Sequence, residues 1–446
     1  ALPPTLQGVW CGSYDPAWCS GYTLNGNLPT ALAAAVPTRA TEQLLPLFDL
    51  LEGHLPDFRR NARRLYGLAG ILLPTHCSAH GRQNHFGPRW CQTFWTAGAA
   101  WMSRFFYDYW RATGDDTFLV RRALPFMVEA AAFLVDFVEE RDGRVVFVPS
   151  YSPENEPAGT GSQAAVNATL DVAATRDLLR NLLHGVAAAG GAVAAGVTDR
   201  DLDRWRAVLA ALPPYRIGPD GELAEWLWPG LDDHHAHRHA SHLYPLWYPD
   251  PVLLDDPALR AAARRSIELR LAWWRGESAG VQRPGEMAFG LVQLGLAAAR
   301  LGLAETAHGI VTTLAGGYWR PSLVSTHNAG AIFNVDICGG LVALVLAMLV
   351  GTGDGAIDLL PATPSAWSHG ELSGVSGGDR IVITRLAWAP TLVDVELVSP
   401  VDRTVTVTVP GVDAGTRIGT TVTLLAGRPA GLRLRKPHRA GAPAVE

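Results

Sequence analysis

The chain has 446 residues, a formal charge of −5, and a composition 48% hydrophobic and 18% charged. Such a chain can bury a large core and still carry a small second module; with no basic stripe, nucleic acid is excluded as an expected partner. No apolar run reaches the eighteen or so residues of a membrane span, and Ala1-Leu2-Pro3-Pro4 does not open a visible signal peptide, so cytoplasm and secretion stay open.

Residues 1–20 read as a lead-in, and from about 30 to 350 the apolar spacing predicts a succession of helices. The candidates are 38–54 and 57–68, then a segment carrying Trp101, Phe105, Tyr109 and Trp110 that stops at Thr113-Gly114-Asp115-Asp116. Over 121–140, Leu124, Met127, Ala131, Leu134 and Val138 recur at three- and four-residue steps, with Pro125 placed in a first turn. Further helices are expected at 165–189, 199–211, 257–274, 285–302, 304–315 and 337–350. Long loops rich in Gly, Pro, His and Asn separate them at 73–92, 146–162, 213–245 and 317–336, a length that in compact domains tends to mark function. Beyond Gly351, Ile381-Val382-Ile383, Leu392 to Leu397 and the alternating Thr404 to Val409 predict strands. Helices in one block and strands in another divide the chain into 1–355 and 356–446. So many helices in one body fit an α/α toroid or a solenoid, and no internal repeat favours the solenoid.

Five cysteines without a CxxC signal neither a disulfide framework nor a zinc site; Cys11 and Cys19 either pair in an exported protein or stay as thiols. Fifteen tryptophans fit either core packing or the apolar faces of sugars.

Four polar segments stand out. Asn25-Gly26-Asn27 is a turn or a pair of functional amides. Glu154, in Ser152-Pro153-Glu154-Asn155-Glu156, is a surface acid or a proton donor with a raised pKa. His234, His235, His237, Arg238, His239 and His242 crowd into nine residues. An arginine in their midst argues against a metal, whereas Arg and His together donate hydrogen bonds to hydroxyls. Asp336, alone in an apolar stretch, is a helix cap or a group that orients water. Inverting glycoside hydrolysis needs an acid and a base on opposite faces of a sugar, and Glu154 and Asp336 are candidates for those places.

In order along the chain, these segments resemble glycoside hydrolase family 95. Gly8-Val9-Trp10 and Tyr22 to Leu28 are similar to its G-x-W and Y-x-x-N-x-N-L stretches, Trp95 to Trp101 to its W-P-x-G-G-A-W, and Tyr109 to Leu119 to its Y-x-x-T-G-D-x-x-F-L. Ser152 to Asn155, Glu225-Trp226, His237 to Tyr244, Phe333 to Asp336 and Leu359 to Trp367 follow in the family's sequence. The resemblance implies an (α/α)6 toroid barrel followed by a small C-terminal antiparallel β-sandwich module, no metal or cofactor, and inversion at an α-L-fucosyl or α-L-galactosyl bond of an oligosaccharide. By the same resemblance Glu154 is the general acid, Asn27 with Asn25 holds the attacking water, and Asp336 makes that pair basic. Arg238, His239, Trp95, His237 and His242 are expected around the sugar. The family usually carries a β-sandwich upstream of the barrel, and this chain begins after that point; it also departs at Pro29 to Leu32, around Gly280 to Gly285, and at Ile337-Cys338-Gly339. The rival readings are a carbohydrate-binding pseudoenzyme and another (α/α)6 glycosidase or phosphorylase, the last marked by phosphate-dependent turnover.

Overall fold

The structure is a computed structural model that describes residues 1–9, 11–83, 90–277, 287–411 and 416–436. Trp10 and the segment 280–285, singled out above, lie outside them.

The molecule is an (α/α)6 toroid with a β-rich C-terminal region. Its main helices are α1 (Asn27–Leu32), α2 (Leu45–Gly53), α3 (Leu55–Tyr66), α4 (Gly98–Thr113), α5 (Leu124–Phe137), α6 (Thr169–Ala188), α7 (Asp199–Ala211), α8 (Pro257–Trp274), α9 (Ala288–Arg300), α10 (Ala304–Gly317) and α11 (Asp336–Leu349). Their ends follow local chemistry. The Asp256 side chain accepts from the first amides of α8, and Thr198 and Asp201 form a reciprocal cap on α7. Helix α4 ends at Gly114 in the left-handed region, φ 70°.

Four helices are shorter than their apolar spacing predicts, and the one expected over 285–302 is α9, Ala288–Arg300. The span expected over 38–54 opens as a 3-10 turn, Thr41–Leu44, because Pro46 marks the start of α2. The span 121–140 is a π-turn, Leu119–Ala123, followed by α5. Residues 165–168 stay outside α6: Ala165 bridges to Ser150 and Ala168 to Trp226, which ties the loops at the barrel mouth together. One continuous core fills the barrel; in it the Phe106 ring stacks on Phe126 at 4.5 Å and tilts against Phe48 at 4.3 Å.

Helix α11 runs directly into β1 (Val350–Gly353), which pairs with β2 (Ala356–Leu359). The other long strands are β3 (Val382–Trp388), β4 (Leu392–Val398), β5 (Arg403–Pro410), β6 (Arg417–Leu424) and β7 (Ala430–Arg435). One sheet has the order β6-β5-β2-β1, antiparallel except for the β2–β5 pair. In the other, Val375–Ser376, β3, β4 and β7 lie side by side, and Gly370–Leu372 also pairs with β3. Inward residues of both sheets form a second core that includes Leu346 and Leu349 of α11. Cys11 and Cys19 stay as thiols. No described helix is long and apolar enough to cross a membrane.

Candidate active site

At one mouth of the barrel the long loops enclose a cavity of about 640 Å³. Glu154, Asn25, Asn27, Arg238 and His239 line it, although they come from three distant parts of the chain.

Asn27 is the first residue of α1, just after the turn at Asn25-Gly26, and Asp336 is the first residue of α11. The two helices cross in close contact: a Cβ on Gly339 would lie 2.0 Å from the carbonyl oxygen of Ala31, and one on Gly340 would lie 2.6 Å from the Thr30 methyl. Two glycines in succession therefore let the backbones approach, and Asn27 Nδ2 donates to Asp336 Oδ2 at 2.6 Å. With its nitrogen committed, the Asn27 amide has its oxygen left to accept from a solvent molecule. Asp336 is 1% exposed. Burial pushes its carboxyl up to about 7, against the pull of the Asn27 and Asn334 amides. Asn25 is 2% exposed, lines the cavity and stands close enough to Glu154 for its side chain to hydrogen-bond the carboxylate.

Glu154 is held from behind. Its loop is clamped by Glu225, a fully buried carboxylate on the neighbouring loop. Ser152 Oγ and Asn155 Nδ2 donate to Glu225 at 2.6 and 2.7 Å, and the Arg270 guanidinium pairs with it. Burial would raise the Glu225 carboxyl, but Arg270, His242 and those two donors hold it below its ordinary range. Ser241 Oγ adds a bond to the Pro153 carbonyl at 2.7 Å. On the cavity side Glu154 meets the Arg238 guanidinium, and His239 Nε2 stands 3.5 Å away.

The raised pKa expected for Glu154 is absent from the open cavity. Burial favours the proton, yet His239 and Arg238, with Asn25 beside them, bring the carboxyl down to about 2. Below about pH 7 the proton of the free site therefore resides on Asp336 and the charge on Glu154.

Three residues expected around a sugar are not on the cavity wall. Trp95 is wholly buried, with the backbone of Gly98 packed against its ring. His242 is buried beside Glu225, 3.9 Å from its carboxylate, and burial lowers it to about 3. His237 lies behind His239: its Nδ1 accepts from the His239 amide at 3.1 Å and the two rings sit 5.3 Å apart. Sequence adjacency to a motif does not say which side of the wall a ring takes. Conversely, the cavity is lined by Trp18, Trp90, Gln92, Met287, Phe289 and His327, none of which was singled out. Trp90 and His327 do fall in the long loops 73–92 and 317–336, the signal that could have found them. The Phe289 ring stands edge-on to His239 at 5.1 Å, and Trp18 tilts over His327 at 4.7 Å, so the cavity offers apolar faces beside its polar end.

The family model described as the glycosyl hydrolase family 95 catalytic domain matches residues 1–349. The protein is similar to alpha-L-fucosidase 2 of Arabidopsis thaliana, 25% identical over 401 residues that make up 86% of this chain and 45% of that protein. It is also similar to probable alpha-fucosidase A of Aspergillus niger, 26% identical over 402 residues, 84% of this chain and 48% of the other. The chain thus spans just under half the length of the curated relatives it matches. A solved structure named as a kojibiose phosphorylase from human microbiome superposes with a TM-score of 0.62 over 98% of this chain and 63% of that one, at 10% identity. That likeness is one of fold.

Proposed function

The chain belongs to glycosyl hydrolase family 95, and from that premise we propose that it is an inverting exo-glycosidase. It releases terminal α-linked L-fucose, or the closely similar L-galactose, from oligosaccharides; the names of its relatives favour fucose. The observation that carries the reading is the Asn27–Asp336 hydrogen bond, which backs the same cavity that Glu154 lines.

In this reading Glu154 gives its proton to the glycosidic oxygen as the bond to the anomeric carbon breaks. A water held by the oxygen of Asn27, with the Asn25 amide beside it, attacks the opposite face. Its proton passes to Asn27 while Asp336 draws on the amide nitrogen, so the carboxylate makes a weak base effective. Arg238 and His239 bind hydroxyls, and the rings of Trp90 and Phe289 pack against the sugar's C–H faces.

The working form needs the proton on Glu154 and the charge on Asp336, the reverse of the resting site. Substrate provides the exchange. A hydroxyl that takes Arg238 removes the cation from Glu154, and a sugar that fills the cavity excludes water, so both changes raise the carboxyl. Glu154→Gln is expected to lower kcat on an oligosaccharide by on the order of 10²–10⁴, yet to retain most activity on α-L-fucosyl fluoride, whose leaving group needs no proton. Near-normal turnover of the oligosaccharide by this variant would remove Glu154 from the acid role.

A further inference from the structure

Away from the cavity, three side chains with metal-ligand chemistry meet at the surface of the 213–245 loop. Donor atoms of Asp220, Glu222 and His235 all lie within 4.8 Å of one another. The turn that carries the two acids is closed by the Ile217–Leu223 bridge and by the Gly218 amide donating to the Glu222 carbonyl at 2.8 Å. His235 Nε2 stands 2.9 Å from the Asp220 carboxylate, which is open to solvent.

Glu222 is the informative member. It is 1% exposed, and among the described residues neither of its carboxylate oxygens has a hydrogen-bond partner. The turn is shaped around it: a Cβ at Gly218 would come within 1.8 Å of Glu222 Oε1. A buried carboxylate without a donor is strongly unfavourable unless a cation or a proton satisfies it. Arg265, beside the turn, is otherwise engaged: its Nε donates to the Asp220 backbone carbonyl at 3.2 Å and its guanidinium reaches Glu268 at 3.8 Å. Arg238, which made the histidine cluster look hostile to a metal, is paired with Glu154 instead.

We propose that Asp220, Glu222 and His235 bind a divalent cation, with water completing the coordination on the exposed side. One imidazole with two carboxylates favours a first-row transition ion such as zinc or manganese over calcium. Binding replaces the His235–Asp220 hydrogen bond by two metal bonds, with the imidazole bound through Nε2 as the neutral tautomer that carries its proton on Nδ1. The ion's role is to fasten a loop. The carbonyl of His234, next to His235, accepts from Asn155 at 3.0 Å and from Arg270 at 2.9 Å, and four residues beyond His235 stands His239, beside Glu154. The ion would therefore hold the segment that presents Arg238 and His239 to the acid.

The test is calorimetric titration of the EDTA-treated full chain with Zn²⁺ and, separately, Mn²⁺, with thermal melts alongside. Glu222→Gln and His235→Ala, neither of them on the cavity wall, are the comparisons. The expected result is one saturable site that raises the melting temperature, with affinity at least tenfold weaker in each variant. Metal binding of equal strength in both variants would place the ion on other histidines or thiols and overturn the proposal. A wild-type chain that takes up neither ion would do the same, and a Glu222→Gln chain more stable than the metal-free wild type would then mark Glu222 as a protonated carboxyl.

Discussion

An amide becomes a usable base only when an anion draws on its nitrogen, and in this chain the anion occupies a place that resists charge. Asp336 keeps its proton up to about pH 7 in the folded chain, whereas unfolded it loses it near the ordinary aspartate value of 3.8. Between those values the native state holds a proton that the unfolded state has released, so stability falls as pH rises through the window, by about 4 kcal/mol in total. Asp336→Asn is therefore expected to melt above the wild type at pH 8 and level with it at pH 4, while kcat drops by on the order of 10²–10⁴. Equal melting at pH 8 would mean that the carboxylate carries no such penalty. The activity profile has the matching sign. The working form carries one proton across Glu154 and Asp336, so kcat/KM for an oligosaccharide should fall above about pH 7 as Asp336 loses its proton in the free site. With Glu154→Gln and a fluoride leaving group only the ionised Asp336 is needed, and the rate should instead rise through the same pH. Glu154, Asn27 and Asp336 were legible in the sequence because each lies in a short, distinctive motif. The exchange of proton proposed between two of them was not, because it depends on Arg238 and His239 folding back onto Glu154.

At the scale of elements, the hydrogen bond that matters most is set by how closely two helices approach. Gly339 faces the Ala31 carbonyl at a separation that no side chain fits. Gly339→Ala is expected to push α11 from α1, break the Asn27–Asp336 bond, cost about 1–3 kcal/mol of stability, and lower kcat by more than its effect on KM. A variant with normal kcat would show that the two helices can part without disturbing the amide. The existence of α4, α7 and α8 followed from the apolar spacing, and their ends came close to the expected places. The π-turn before α5 and the late start of α6 had no local signal, because they answer to loops that pair with Ser150 and Trp226 from elsewhere in the chain. The clamp of Glu225 on Ser152 and Asn155 was likewise hidden: the sequence shows an acid before a tryptophan, and only the fold shows what it grips.

Across the whole molecule, α11 belongs to two cores at once. Asp336 heads it in the barrel, Ile337, Leu344 and Met348 pack into the barrel core, and Leu346 and Leu349 pack into the β-rich core. The division expected at 355/356 falls between β1 and β2, two strands of one sheet. Arg111 of α4 pairs with Asp379 and Asp354, and the Ser376 amide donates to the Pro37 carbonyl at 2.9 Å, so polar contacts reinforce the shared helix. We therefore expect calorimetry to show one cooperative unfolding transition; two separated transitions would show that the β-rich region is stable apart from the barrel. The change of composition near residue 351 made the β-rich region legible, but the shared helix was not, because the residues of its two faces are equally apolar. The proposed chemistry is tested most directly by a proton NMR time course on an α-L-fucosylated oligosaccharide. Attack by water across the cavity from Glu154 requires β-L-fucose as the first-formed sugar, with the α anomer arriving only by mutarotation; α-L-fucose at the earliest time points would contradict it.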